Sequence, residues 1–251
     1  MGNPVNFYSR AGKTVEFYTR PPVELNVLNL SFTGSDGDTT TTDTGAFSRT
    51  VTQIGSVELD SDQFVSSPTS SYHPPIGTPG EGPHYWAVQG HSFFDAAFFN
   101  GNWTMSTWFR LVLDNSGYTT FTSWWINAFS WVSFFYADPP GFSTLNFQER
   151  HSANPPEAVA VNFNPILNVW HYVEVTKTGD DFSFFSNDTG TGERYQVGSN
   201  QTQVMAIGNY SGVTQTVGGT QDSIQSVYAT QGWTDETKVI AEVERPVNFY
   251  G

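Results

Sequence analysis

Residues 169–186 read VWHYVEVTKTGDDFSFFS, two strand-like runs on either side of Lys177-Thr178-Gly179-Asp180. This pattern predicts a β-hairpin, because Gly and Asp favour tight turns and the flanking runs are rich in residues that prefer strands. Further strand-like runs occupy residues 25–32, 51–59, 103–111, 129–136 and 223–228. Short strands at this spacing, with almost no helical pattern between them, predict an all-β antiparallel sandwich of two sheets.

Four segments carry more specific expectations. Residues 103–111 alternate with period two, and we expect burial to switch faces near the end of that strand;. Residues 129–136 are so aromatic that both faces should be covered, as in a central strand. Residues 68–83 contain five prolines and predict a long surface loop;. Residues 234–237 predict one helical turn, with a threonine at the N-cap.

Composition limits the class of partner. The chain of 251 residues has 24 acidic and 10 basic residues and a net charge of −14, which argues against nucleic acid and anionic membranes;. Calcium, neutral glycans or a basic protein surface remain. Zinc sites built on cysteine are excluded, because there is none;. The start of the chain lacks a signal-peptide profile and no run approaches roughly 18 apolar residues, so we expect folding in a cytoplasm and no membrane insertion.

Five motifs, in order, resemble the laminin-G-like (LamG jelly-roll) group of the concanavalin A-like superfamily. They are LNLSFTGSDGDTTTTDTG at 28–45, FFNGNWTMSTWFR at 98–110, WHYVEVTK at 170–177, VMAIG at 204–208 and GTQDSIQSVY at 219–228. The resemblance implies one jelly-roll domain over residues 25–243. It leaves an N-terminal arm or hairpin at 1–24 and a C-terminal strand at 244–251.

The resemblance also implies a calcium site between the first loop and the last core strand. Its candidate ligands are Asp43 and Asp222, since calcium binds carboxylate and carbonyl oxygens on loops. The residues alone leave a second interpretation open. Asp43 would then form an Asx turn, and Asp222 would bond backbone amides at a strand end.

No motif indicates catalysis. Some relatives with this fold are glucanases with a Glu-x-Asp-x-x-Glu strand, and the nearest segment here ends at Gln63 rather than at a second glutamate. One of the two required carboxylates is therefore missing, and we predict that the chain is not an enzyme. The aromatic residues Trp124, Trp125 and Tyr136 have two interpretations, a buried core or a platform on which sugars stack.

A repeated motif marks the two ends of the chain. The pentapeptide Pro-Val-Asn-Phe-Tyr occurs at 4–8 and again at 246–250, and a related Val-Glu-Phe-Tyr occurs at 15–18. Such strands predict docking onto neighbouring subunits by strand addition. Alternatively, the two ends pair with each other as adjacent strands. The candidate partner-binding residues are Val5, Phe7, Tyr8, Val15, Phe17, Tyr18, Val247, Phe249 and Tyr250.

These features lead to two functional hypotheses. The first is a non-enzymatic virion structural protein of a tailed bacteriophage, such as a decoration, head-fibre or tail component. It would fold in the host cytoplasm, form a homo-oligomer, contact neighbouring virion subunits and display its domain to a host-surface glycan. The alternative is a glycan-binding module of a bacterial surface protein.

Overall fold

A computed structural model describes residues 5–8, 14–17, 23–65, 68–74, 84–113, 118–138, 143–151, 156–205, 207–220 and 231–243. Apart from one helix, α1 (Ala96–Asn100), its regular elements are strands. The strands are β1 (Val5–Tyr8), β2 (Thr14–Phe17), β3 (Val23–Leu30), β4 (Val51–Ile54), β5 (Glu58–Asp60), β6 (Ser70–His73), β7 (His84–Val88), β8 (Trp103–Leu113), β9 (Tyr118–Asn127), β10 (Ser130–Ala137), β11 (Thr144–His151), β12 (Glu157–Asn162), β13 (His171–Thr178), β14 (Asp181–Asn187), β15 (Arg194–Thr202), β16 (Gln215–Thr220) and β17 (Gln231–Val243).

The strands form two antiparallel sheets that pack face to face. The seven-stranded sheet has the order β12-β11-β10-β9-β16-β7-β4, and the eight-stranded sheet has the order β15-β14-β13-β8-β17-β6-β5. Strand β3 also pairs with β17, so that Val23 lies directly opposite Val243. Strands β1 and β2 form a separate hairpin. The predicted two-sheet, all-β jelly-roll sandwich is therefore confirmed.

The core lies between the inner faces of the two sheets and consists largely of aromatic side chains. Phe109 on β8 contacts Phe121 on β9, with ring centroids 4.9 Å apart. Farther along, Trp103 on β8 lies 4.9 Å from Phe147 on β11. Each large aromatic side chain buries about 150–250 Å² of surface. A few such residues can therefore fill the core of a chain that is polar elsewhere.

The expected switch of burial in β8 does not occur. Thr107, Phe109 and Leu111 continue the buried face that begins at Trp103. Trp108 stays half-buried on the outer face, where its ring lies 5.4 Å from that of Tyr172. Trp108 is therefore a large aromatic residue outside the core, because Tyr172 on the neighbouring strand packs against it on the outer face of the sheet.

The surface loop expected at 68–83 is partly wrong. Ser70–His73 forms β6, which pairs with β5 and β17. Its residues Ser70, Ser71 and His73 are fully buried, and the Ser71 hydroxyl accepts a hydrogen bond from the Trp86 indole N–H. Residues 70–73 contain no proline, and they form a short strand although Pro68 and Pro74 lie close on either side. Residues 75–83 lie outside the described part of the chain.

Three other segments differ from expectation. The run 51–59 divides at Gly55, which has a φ of +70°, into β4 in one sheet and β5 in the other. Residues 234–237 belong to β17 rather than to a helical turn, because pairing with β8 continues across a bulge in which Glu236 has a φ of +46°. Residues 204, 205, 207 and 208 are irregular rather than a strand, and Met205 and Ile207 are buried; residue 206 lies outside the described part of the chain.

The hairpin predicted within residues 169–186 is confirmed. Strands β13 and β14 pair antiparallel, and Gly179 takes a φ of +60° in the turn between them. Among the described residues, no helix is long and apolar enough to cross a membrane.

Candidate functional site

A cleft of ≈ 410 Å³ opens where the edges of the two sheets meet. Strand β12 is the last strand of the seven-stranded sheet, β15 is the last strand of the eight-stranded sheet, and the two lie against each other. Gly198 on β15 contacts Val161 on β12; a Cβ at position 198 would lie 3.1 Å from the Val161 Cγ1 atom. The cleft is lined by Asn162, Phe163, Asn164, Ile166, His171, Asn187, Asp188, Thr189, Tyr195, Gln196, Val197 and Gly198.

The floor of the cleft is held by buried hydrogen bonds. His171 is buried, and its Nε2 atom accepts a hydrogen bond of 2.9 Å from the Ile166 backbone N–H. Burial lowers the pKa of His171, which keeps the ring neutral near pH 7;. Asn187 is also buried, and its Oδ1 atom accepts a hydrogen bond of 2.7 Å from the Tyr172 N–H. These bonds fix the backbone on both sides of the cleft.

Asp188 lies exposed at the start of the turn between β14 and β15. Its Oδ1 atom accepts hydrogen bonds of 2.8 Å from the backbone N–H groups of Gly190 and Thr191. These donors lower the pKa of Asp188. The carboxylate is therefore ionised at neutral pH and held in a fixed turn.

The walls combine an exposed tyrosine ring with amide side chains. Tyr195 on β15 is 46% exposed, although it belongs to a regular strand. Asn162 and Asn164 are exposed in the same lining. The Gln196 side chain lies on the opposite face of β15 from Tyr195, and its Nε2 atom donates a hydrogen bond of 2.6 Å to Asn200 Oδ1;. Amide side chains both donate and accept hydrogen bonds, as sugar hydroxyls do, and the face of an aromatic ring packs against apolar C–H groups. The cleft therefore suits a small polar ligand that has both hydroxyl and C–H surfaces.

The structure places the first candidate calcium ligand in a buried ion pair. Asp43 Oδ2 lies 2.9 Å from the Nε atom of Arg49, and Asp43 Oδ1 accepts hydrogen bonds from the backbone N–H groups of Asn29 and Gly45. The guanidinium supplies the positive charge that a cation would supply. Asp222 lies outside the described residues, and among the described ones no three His, Asp or Glu side chains are grouped to hold a metal ion. The calcium site stays a prediction.

The three aromatic residues with two interpretations have different environments. Trp124 and Tyr136 are fully buried in the core. Trp125 lies half-buried on the outer face of the seven-stranded sheet, stacked on Trp131 with the ring planes 7° apart. Trp125, Trp124 and Tyr136 therefore do not form one platform, because their side chains leave the sheet on opposite faces.

Two copies of the repeated motif pair with each other. In the β1–β2 hairpin Val5 lies opposite Phe17, and Phe7 lies opposite Val15. Tyr18, Val247, Phe249 and Tyr250 lie outside the described residues.

The sequence pattern does not predict the cleft. Its lining comes from residues 162–171 and 187–198, which belong to the edges of different sheets. The available signal was two polar segments that follow predicted strands, Asn162-Phe163-Asn164 and Asn187-Asp188-Thr189. Strand periodicity does not reveal that these segments meet.

Comparisons with known proteins support the fold. No family model and no curated protein matches the chain. Among solved structures, botulinum neurotoxin type C, described as depending on two ganglioside molecules for cell entry, matches with 16% identity and a TM-score of 0.58, over 88% of this chain and 48% of the other. The serotype D/C binding domain matches with 15% identity and a TM-score of 0.60, over 88% and 49%. The neurotoxin DC binding domain in complex with SialylT matches with 15% identity and a TM-score of 0.59, over 88% and 48%.

This chain therefore spans about half the length of those structures. At such low identity the likeness concerns the fold alone. It supports the broad class of jelly-roll β-sandwiches, and it does not bear on the laminin-G-like group or on a virion origin.

Proposed function

We propose that this chain is a non-catalytic glycan-binding domain whose site is the cleft between β12 and β15. The observation that carries the proposal is the lining of that cleft. A half-exposed Tyr195 shares the lining with the exposed amides of Asn162 and Asn164, in a volume of ≈ 410 Å³. A ring that stacks on sugar C–H groups, surrounded by groups that donate and accept hydrogen bonds, is the chemistry that recognises a sugar.

Proteins that share the fold bind glycans, which adds support at the level of the fold. One neurotoxin is described as interacting with two ganglioside molecules, and a related binding domain was solved in complex with SialylT. The alternative hypothesis from the sequence, a glycan-binding module, thus becomes the main proposal.

The proposal that the domain is non-catalytic rests on its carboxylates. Glycoside hydrolysis generally needs two carboxyl groups about 5–10 Å apart across the scissile bond. Asp188 is the one carboxylate among the described residues of the cleft lining. In the segment that resembles a glucanase strand, Asp60 is engaged by the Trp233 indole N–H at 3.0 Å and by the Asp62 backbone N–H.

Tyr195→Ala should weaken glycan binding about tenfold, equivalent to about 1.4 kcal/mol, because it removes the stacking surface. A glycan array identifies the ligand, and calorimetry on the purified domain then measures its affinity. Tyr118→Ala is the matched control, because Tyr118 is 40% exposed on another part of the surface. The control should bind as tightly as the unmodified chain.

Equal loss in both variants would mean that the ligand binds elsewhere. Unchanged affinity in Tyr195→Ala, with normal affinity in the control, would also contradict the assignment of the cleft.

A second candidate function, the virion structural protein, is favoured by one observation. Two copies of the repeated motif pair with each other in the β1–β2 hairpin, so the motif is able to pair with itself in antiparallel register. A copy in one chain could form the same pairing with a copy in a neighbouring chain. The resulting homo-oligomer, its attachment to other virion subunits and its place on a virion are parts of this proposal.

Deleting residues 1–20 should lower the oligomer mass measured by light scattering, because it removes two copies of the motif. The melting temperature should change little, because β3 begins at Val23. Unchanged oligomer mass together with a large fall in melting temperature would show instead that the segment is part of the sandwich.

A further inference from the structure

Building on the proposed glycan site, we propose that the cleft selects neutral sugars and rejects acidic ones. The reason is the charge of its lining. Asp188 contributes a carboxylate, and among the lining residues that the structure describes there is no Lys or Arg. A sialic acid, uronic acid or sulfated sugar would bring a second negative charge beside Asp188 without a cation to balance it.

The nearest basic residue in the sequence does not supply that cation. Arg194 precedes Tyr195 on β15, and adjacent side chains on a strand point to opposite faces. The Arg194 guanidinium lies 3.3 Å from the centre of the Phe185 ring and forms an ion pair with Glu174. Its charge is therefore already matched by a carboxylate on the outer face of the eight-stranded sheet.

Histidine can also carry a positive charge, but the histidine in the described lining, His171, stays neutral. His171 lines the cleft, but it is buried and its Nε2 atom is occupied by the Ile166 N–H. Protonation of that nitrogen would break this hydrogen bond and place a charge in a buried site. The Ile166 carbonyl, 3.3 Å from the same nitrogen, would offset that cost in part, but burial outweighs it and lowers the pKa of His171.

The polar groups that remain fit hydroxyls better than carboxylates. The amides of Asn162 and Asn164 offer both donors and acceptors, and a hydroxyl uses both. An anionic sugar group offers acceptors alone and binds best to charged donors such as Arg or Lys. The net charge of −14 on the whole chain adds repulsion at longer range;.

Matched pairs of glycans test this inference. Lactose against 3′-sialyllactose, and neutral against sulfated N-acetyllactosamine, should be compared by calorimetry at low ionic strength, together with the same pairs on an array. In whichever pair shows binding, we expect the neutral glycan to bind at least tenfold more tightly than its acidic counterpart. Asp188→Asn should narrow that difference. Asp62→Asn, which removes an exposed charge at a distant turn, should leave the difference unchanged.

The outcomes separate the two proposals. The selectivity is wrong if acidic glycans bind at least as tightly as neutral ones and this binding weakens in Tyr195→Ala. That result would still support the cleft as the glycan site. A panel in which no glycan shows binding that depends on Tyr195 would overturn the glycan site and the selectivity with it.

Discussion

Arg49→Met should lower the free energy of unfolding by about 3–5 kcal/mol, the usual cost of leaving a buried charge without its partner. The side chains of Arg49 and Asp43 are 2% and 0% exposed, and they are joined at 2.9 Å. The guanidinium also donates to the Gln215 Oε1 atom in the seven-stranded sheet and to the Val27 carbonyl in the eight-stranded sheet. Methionine fills a similar volume but leaves the Asp43 carboxylate charged and buried.

Denaturant unfolding of the purified chain measures the effect. Lys238→Met is the control, because it breaks the Lys238–Glu236 pair, in which the two side chains are 31% and 29% exposed. Exposed pairs contribute about 0–1 kcal/mol, so the control should lose little stability. Arg49→Met combined with Asp43→Asn should recover part of the loss, because no unpaired charge then remains. Equal losses in Arg49→Met and Lys238→Met would show that the buried Arg49 network does not stabilise the fold.

Glu149→Gln should remove a fall in the free energy of unfolding that occurs as pH rises from about 5 to about 7. Glu149 on β11 is 3% exposed and lies directly opposite Glu157 on β12. Its Oε1 atom is buried, with no hydrogen-bond partner among the described residues. Burial and the charge of Glu157 raise the pKa of Glu149 from 4.5 to about 7, against the lowering effect of the Gly208 N–H.

The sign of the effect follows from proton binding. Between pH 4.5 and about 7 the folded chain holds a proton on Glu149 that the unfolded chain has lost, so the free energy of unfolding falls as pH rises through this range;. The fall attributable to this one group is roughly 3 kcal/mol. Glutamine stays neutral at every pH, and the variant should therefore be the more stable protein at pH 8.

Denaturant unfolding at several pH values checks this expectation. Glu193→Gln, a change of the same kind at an exposed position, should keep the pH dependence of the unmodified chain. The same slope in Glu149→Gln as in the unmodified chain would contradict the buried-carboxylate argument.

The sequence predicted those parts of the fold that depend on local pattern. Alternation in 103–111 and the glycine at 179 are local signals, and β8 and the β13–β14 hairpin form where they indicate. The segment 70–73 was missed because neighbouring prolines suggested a loop. The segment 234–237 was misassigned because a polar turn-like run gives no sign that β17 pairs with β8 across it.

The environment of Asp43 and the cleft depend on contacts between distant residues, which local pattern does not show. The partner of Asp43 is Arg49, and that arginine is held by Gln215, 166 residues farther along the chain. The cleft likewise forms because β12 and β15, in different sheets, meet at their edges. A sequence shows which residues are polar, but not which of them the two layers bring together.

The pairing of Val23 with Val243 has a consequence for how the sandwich is attached to anything else. Paired residues on antiparallel strands have Cα atoms about 5 Å apart, so linkers joined at these two positions leave side by side. Along β8, the partner of Ala241 is Trp103, whereas the partner of the cleft residue His171 is Phe109, six residues or about 20 Å away;. If the sandwich were inserted through both linkers into a surface loop of another protein, the end with Val23 and Val243 would face that protein. The cleft would lie at the opposite end and face away from it.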